Sequence, residues 1–187
     1  MLIIDISNAS NYVVFDLEAT CWEKKAGKTS EIIEIGAVKL NKNLEPQEEF
    51  SKFLRPVINP VLSKFCIELT SIAQSMVDNA QVFEEAIKEF ADWAGTGAVF
   101  CSWGDYDKKQ ILLEAKIKEV SISFLDRLEK NHVNLKHEFA KEKKRRPCGM
   151  KKALNILGIS HTGTHHRGID DARNIVKIMQ YVFGNSF

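Results

Sequence analysis

In the segment Val13-Val14-Phe15-Asp16-Leu17-Glu18, two carboxylates stand two residues apart at the end of an apolar run. A run of this composition reads as a buried strand, and side chains at i and i+2 of a strand share a face. Asp16 and Glu18 therefore emerge side by side. Two anions that close raise each other's pKa unless a cation sits between them. Carboxylate oxygens suit Mg²⁺ or Mn²⁺. The pattern is short, however, and also describes two solvated acids at a strand end.

Further acids give it weight. Asp105 follows the apolar segment Val99-Phe100-Cys101-Ser102-Trp103 and precedes a helical pattern. Ligands of open α/β sheets gather at the carboxyl ends of strands, so Asp105 can converge on Asp16 and Glu18. Its bland reading is an N-cap, and Asp107 competes two residues on. The segment His165-His166-Arg167-Gly168-Ile169-Asp170-Asp171-Ala172 adds an imidazole and a fourth acid. Both His165/Asp170 and His166/Asp171 have the spacing H-x4-D. We take the second pair: Asp170 suits a helix cap, whereas Asp171 lies inside the first turn and can point sideways. Two adjacent histidines are otherwise an ordinary polar loop.

These residues need a scaffold that brings strand ends and helix starts together. Tyr12–Leu17 reads as a buried strand, Glu31–Leu40 as a second, and Glu48–Arg55 as a third that stops before Pro56. Phe83–Trp93 has apolar residues at helical spacing. Ala98–Trp103 is a short buried strand, and Asp107–Val120 returns to a helix. Two more helices are predicted at Leu135–Lys143 and Met150–Leu157, the latter ended by Gly158, and a last one over Asp170–Phe183. Adjacent early strands can pair antiparallel, and later ones need helical crossovers. The expected fold is an α/β domain with a mixed β-sheet flanked by helices.

Composition narrows the class. An apolar fraction of 44% and a charged fraction of 27% over 187 residues are ordinary for a globular domain. No apolar run reaches the ~18 residues that span a bilayer. The opening MLIIDISNASNYVV lacks the charge pattern of a signal peptide. Cys21, Cys66, Cys101 and Cys148 have no CxxC spacing, which speaks against structural zinc and a disulfide scaffold and fits a cytoplasmic, reducing setting. Net charge is only +1, but residues 1–95 balance to −6 and residues 96–187 to +7. The basic half includes Lys141, Lys143, Lys144, Arg145, Arg146, Lys151 and Lys152. Such asymmetry can serve a polyanion, or merely solvate a helical face.

Taken together, the acids and the histidine resemble the DEDDh family of 3′–5′ exonucleases. Asp16 and Glu18 in DLEAT match its first motif, Asp105 its second, and His166 with Asp171 the H-x4-D of its third. Finer texture is similar to the ERI1-like subgroup, which includes histone-mRNA exonucleases. It lies in DLEATC at Asp16–Cys21, EIIEIG at Glu31–Gly36, FCIELT at Phe65–Thr70 and SWGDYD at Ser102–Asp107. Ser71 departs from the glycine that often follows Leu-Thr in the family.

The resemblance implies an RNase H-like fold, with residues 1–187 as a single exonuclease domain. It implies two divalent cations, Mg²⁺ or Mn²⁺, held by Asp16, Glu18, Asp105 and Asp171, with His166 as general base. Its substrate would be single-stranded nucleic acid with a 3′ end, RNA rather than DNA. Leu17, Ala19, Phe65, Leu69, Thr70 and Trp103 are the candidates for contact with the terminal nucleotide, Thr70 through the sugar. Each apolar one among them also fits an ordinary core. The rival readings are a DNA-directed exonuclease of the same fold and a binding or scaffold protein without catalysis. Four buried acids without a use would be costly, which counts against the last.

Overall fold

The computed structural model describes residues 10–24 and 27–184. The opening residues 1–9, on which the signal-peptide expectation falls, lie outside the described residues. Strand β1 spans Asn11–Ala19, β2 Ile32–Leu40 and β3 Pro46–Phe53. They follow one another in sequence and pair antiparallel. Helices α1 (Lys64–Thr70), α2 (Gln74–Val77) and α3 (Phe83–Ala94) then lead to β4 (Ala98–Ser102), which returns parallel to β1. Helices α4 (Tyr106–Ile117) and α5 (Ser123–Lys130) cross over to β5 (His132–Asn134), parallel to β4. Helices α6 (Leu135–Glu142), α7 (Met150–Leu157) and α8 (Gly168–Phe183) complete the described chain. The sheet order is β3-β2-β1-β4-β5. This is the mixed sheet flanked by helices that the sequence predicts.

The strand alternation divides the core by face. Tyr12 and Val14 of β1, Val38 and Leu40 of β2, and Val99 and Cys101 of β4 pack with α6, α7 and α8. Val13, Phe15 and Leu17, with Ala37, Phe50 and Phe100, pack with α3, α4 and α5 on the other side. Asp16 and Glu18 share the parity of Val14, so the strand period directs them to the α8 side. Both are at the carboxyl end of β1, next to the end of β4.

Two glycines let α8 approach that strand end. A Cβ built on Gly36, the β2 partner of Asp16, would lie 2.0 Å from the backbone nitrogen of Ile169 and 2.1 Å from the carbonyl carbon of Gly168. One on Gly168 would come within 3.0 Å of the Asp16 carbonyl oxygen and 3.1 Å of the Gly36 nitrogen. Only a backbone bare of side chains fits at this crossing, and it sets the start of α8 directly over β1 and β2. Among the described residues, no helix is long and apolar enough to cross a membrane.

Candidate active site

A cleft of about 300 Å³ opens where β1 ends and α4 and α8 begin. Its lining includes Asp16, Leu17, Glu18, Trp103, Asp107 and Asp171, with His165 and His166 at one side. The first three come from β1. Asp107 and Asp171 each come from the first turn of a helix.

Glu34 and Arg167 anchor the α8 side. Glu34 is fully buried on β2, opposite Glu18. The Arg167 guanidinium donates from Nε and Nη2 to its two carboxylate oxygens, each at 3.2 Å, and the Gly168 amide donates to Oε2 at 3.0 Å. This fork fixes the residue at which α8 starts, and with it the direction of Asp171.

The sequence reading placed Asp105 in the cleft, and the structure does not. Asp105 is the residue before α4, and its side chain turns toward β5, where Oδ2 accepts from Asn134 Nδ2 at 2.9 Å. Its side chain is 38% exposed. Asp107 lies inside the first turn, is buried, and accepts the Leu17 amide at 3.2 Å through Oδ1. The reason is helical phase. In α4 the side chain at the boundary projects outward, and the one at the second helical residue projects across the helix start. Helix α8 starts at Gly168, so Asp170 is its third residue and not the cap the sequence suggested; it accepts the Thr164 amide and pairs with Arg173, both at 2.9 Å, while Asp171, one residue on, enters the cleft.

His166 has a left-handed backbone, with φ 61°. Its amide donates to Asp171 Oδ2 at 3.1 Å, but its ring faces Glu18, with Nδ1 4.0 Å from Oε1. The ring nearest Asp171 is that of His165, whose Nδ1 is 3.2 Å from both carboxylate oxygens. Sequence spacing thus pairs His166 with Asp171 through the backbone, not through the imidazole.

Of the expected nucleotide contacts, Leu17 and Trp103 line the cleft. Trp103 is held by a bond from its indole N–H to the Cys148 carbonyl at 2.9 Å and packs on Phe139. Phe65 and Leu69 form an exposed apolar pair one turn apart on α1, outside the residues that line the cleft. Ala19 is at the edge of burial. Thr70 does not reach the cleft: it is fully buried, its hydroxyl donates to the Cys66 carbonyl at 2.8 Å, and it accepts the Ile72 amide at 3.2 Å. Its hydroxyl closes the end of α1. Ser71 ends α1 with φ 59°, the left-handed position where glycine is the default. Tyr106, Met150 and Ile175 also line the cleft, and no local pattern singled them out.

The electrostatics are unbalanced toward negative charge. Burial, and then the carboxylates of Asp107, Glu18 and Asp171, push Asp16 well above the usual carboxylate range. Burial, then Asp171, Glu34 and Asp107, raise Glu18 to about 8. Burial raises Asp107 to about 6 against the hydrogen bonds it accepts. Burial, then neighbouring His165, lowers His166 below its ordinary value, which favours the neutral imidazole. Among the described residues, no lysine or arginine forms an ion pair with Asp16, Glu18, Asp107 or Asp171. Buried acids without a cationic partner are a donor set for hard divalent cations. Glu18, His166 and Asp171 together present three ligand atoms within 4.8 Å of one another.

Comparisons with known proteins agree with this geometry. The Exonuclease family (RNase_T) matches residues 13–179. ERI1 exoribonuclease 2 of Danio rerio is 34% identical over 191 residues, covering 90% of this chain and 34% of the relative. The 3′-5′ exonuclease Snipper of Drosophila melanogaster is 31% identical, covering 91% of this chain and 68% of the relative. A crystallographic structure of the nuclease domain of 3′hExo, a DEDDh family member, bound to rAMP, superposes with a TM-score of 0.84 at 31% identity. It covers 92% of this chain and 90% of that one. The chain belongs to the exonuclease family, as a DEDDh member of the ERI1-like kind. It spans about a third of the length of the Danio rerio relative.

Proposed function

We propose that this chain is a 3′–5′ exoribonuclease domain that releases nucleotides from single-stranded 3′ ends. The observation that carries the reading is the convergence of Asp16, Glu18, Asp107 and Asp171 on one cleft beside His166. Asp16, Glu18, Asp107 and Asp171 would hold two divalent cations, Mg²⁺ or Mn²⁺, whose chemistry when bound is to acidify a water and offset charge at the phosphate. In this reading Asp107 takes the role the sequence had given to Asp105. His166, biased toward its neutral form and partly exposed, accepts the proton of the attacking water. Leu17 and Trp103 offer apolar surface to the terminal base. Lys151 and Lys152 follow Met150 at the cleft wall, and with the run Lys141–Arg146 they offer positive charge to the backbone phosphates.

RNA is favoured by the ERI1-like relatives, and by the single ribonucleotide held by the related nuclease domain. The four unpaired cysteines support a reducing, cytoplasmic setting for it. The test is hydrolysis of matched RNA and DNA strands, linear and circular, with Mg²⁺ and with EDTA. Mononucleotides from linear RNA alone, in Mg²⁺ alone, are the expected result. Equal attack on the circular strand would exclude an exonuclease, and a higher rate on DNA would exclude the RNA preference.

A further inference from the structure

Asp171 faces two different environments. On the cleft side are the carboxylates of Asp16 and Glu18. Beside Asp171 are also two imidazoles that the reading above does not use: His165, at the cleft side, and His161, which is not among the lining residues. His161 Nε2 is 3.4 Å from Asp171 Oδ1, and His165 Nδ1 is 3.2 Å from the same atom. The three ligand atoms lie within 4.8 Å of one another. In a tetrahedral zinc site with bonds of ~2.0–2.2 Å, ligand atoms stand roughly 3.4 Å apart. The observed separations from Asp171 already have that size. The rings of His161 and His165 meet edge to face at 5.5 Å, so neither blocks the other's nitrogen.

The loop that carries the two histidines is firmly built. Fully buried Asn174 accepts the Thr162 amide at 3.1 Å and donates to the Thr162 carbonyl at 2.8 Å. Gly163 turns the chain with φ 78°, and a Cβ there would lie 2.4 Å from Asp170 Cγ. His161 and His165 are 20% and 30% exposed, open enough for an ion to enter from solvent.

We propose that His161, His165 and Asp171 form a binding site for a transition-metal cation of the Zn²⁺ type, separate from the acidic pair on β1. Two imidazole nitrogens and one carboxylate oxygen suit Zn²⁺, with a fourth position left for water; Mg²⁺ prefers an all-oxygen set. Because the site takes Asp171, zinc there withdraws a ligand from the acidic centre and inhibits the enzyme. The inhibitory consequence rests on the proposed role of Asp171; the binding does not.

The experiment uses the full chain stripped of metal. Co²⁺ serves as a spectroscopic probe through its visible d–d absorption, and Zn²⁺ as the competitor. Wild type is expected to show the intense bands of a four-coordinate ion, displaced by Zn²⁺ and not by Mg²⁺ at similar concentration. His161→Ala should weaken Zn²⁺ binding tenfold or more, while its Mg²⁺-supported rate on RNA stays close to wild type. The zinc concentration that halves that rate should rise by the same factor. His161→Phe keeps the ring without the nitrogen, and it decides the matter if the alanine variant melts early. Asp16→Asn should leave zinc binding unchanged. Zinc affinity that His161→Phe leaves intact, or that falls with Asp16→Asn instead, would overturn the site. If the chain cleaves no RNA, the proposed function fails, while the absorption and competition measurements still read the zinc site.

Discussion

Helices α4 and α8 pack on opposite faces of the sheet, yet each sends one acid of a close pair into the cleft. Each begins with a pair of acids, Asp105 and Asp107 in one, Asp170 and Asp171 in the other. In each, the acid nearer the boundary is turned away, to Asn134 in α4, and to the Thr164 amide and Arg173 in α8. The acid deeper in the first turn enters the cleft. The difference lies in what surrounds the inner acid. Asp107 is buried and bonded to the Leu17 amide. Asp171 receives the His166 amide and has two imidazole rings within 3.4 Å. In both helices it is the later acid of the pair that reaches the cleft, from the second residue of α4 and the fourth of α8. The neighbours decide what else that acid can bind.

The largest effect is expected where this rule overturns the motif register. Asp107→Asn should lower single-turnover hydrolysis of a short RNA by at least about 10³-fold, as loss of several kcal/mol of metal-dependent stabilisation implies. Asp105→Asn should stay within a few-fold of wild type, since its carboxylate faces Asn134. If Asp105→Asn proves the crippled enzyme, the helical-phase argument fails for α4.

The same substrate tests the histidines. His166→Ala should cost about 10²–10⁴-fold in rate, the usual contribution of a positioned general base, with RNA binding retained. His165→Ala should cost about tenfold or less, through a looser Asp171. The opposite ranking would make the ring nearest Asp171 the base and shift the assignment by one residue.

How much of this could be read without coordinates depends on whether the signal is local. Strand parity placed Asp16 and Glu18 on one face, and the first-turn argument placed Asp171, because each needs only a few neighbouring residues. The local pattern is less clear at α4. Its apolar spacing starts at Asp107, one residue beyond the observed start at Tyr106, so the sequence sets Asp107 at the boundary and Asp105 in the strand-end loop. Helix α5 was missed because only Phe124 and Leu128 are buried in it, and β5 because three residues carry no period. Helices α1 and α2 are likewise short. Glu34 and Arg167 were invisible as a pair: 133 residues separate them, and only the sheet brings them together.

A third expectation concerns pH in the absence of metal. Glu18 stands near 8 in the fold against 4.5 as its ordinary value, and Asp107 near 6 against 3.8. Both are raised, so the fold binds more protons than the unfolded chain between those limits. Their contribution is full below about pH 4, and is lost as pH rises through 6 and then 8. The melting temperature in EDTA should therefore fall over pH 5–9. Mg²⁺ binds the ionised carboxylates, so it should restore stability most at the alkaline end. At roughly 2–4 °C per kcal/mol for a chain of this size, the gap between Mg²⁺ and EDTA should widen by several degrees. A gap that stays constant with pH would mean the cleft acids are not linked to folding in this way.

The smallest effect isolates the outer acids. Asp170 accepts the Thr164 amide and holds the Arg173 guanidinium, which in turn reaches Glu49 at the sheet edge. The Asp105 carboxylate accepts from Asn134, has His132 Nδ1 3.9 Å away, and makes no cap bond to its own helix. Loss of a side chain that satisfies a backbone amide near a helix start costs about 0.5–2 kcal/mol, and loss of one exposed polar contact costs less. Asp170→Ala should therefore lower stability by about 1 kcal/mol in urea unfolding, and Asp105→Ala by about half of that or less. Neither should abolish hydrolysis, because neither carboxylate faces the cleft. If Asp170→Ala destroys activity while the domain remains folded, the choice of Asp171 as the inner acid of α8 is wrong, and the parallel between the two helix starts goes with it.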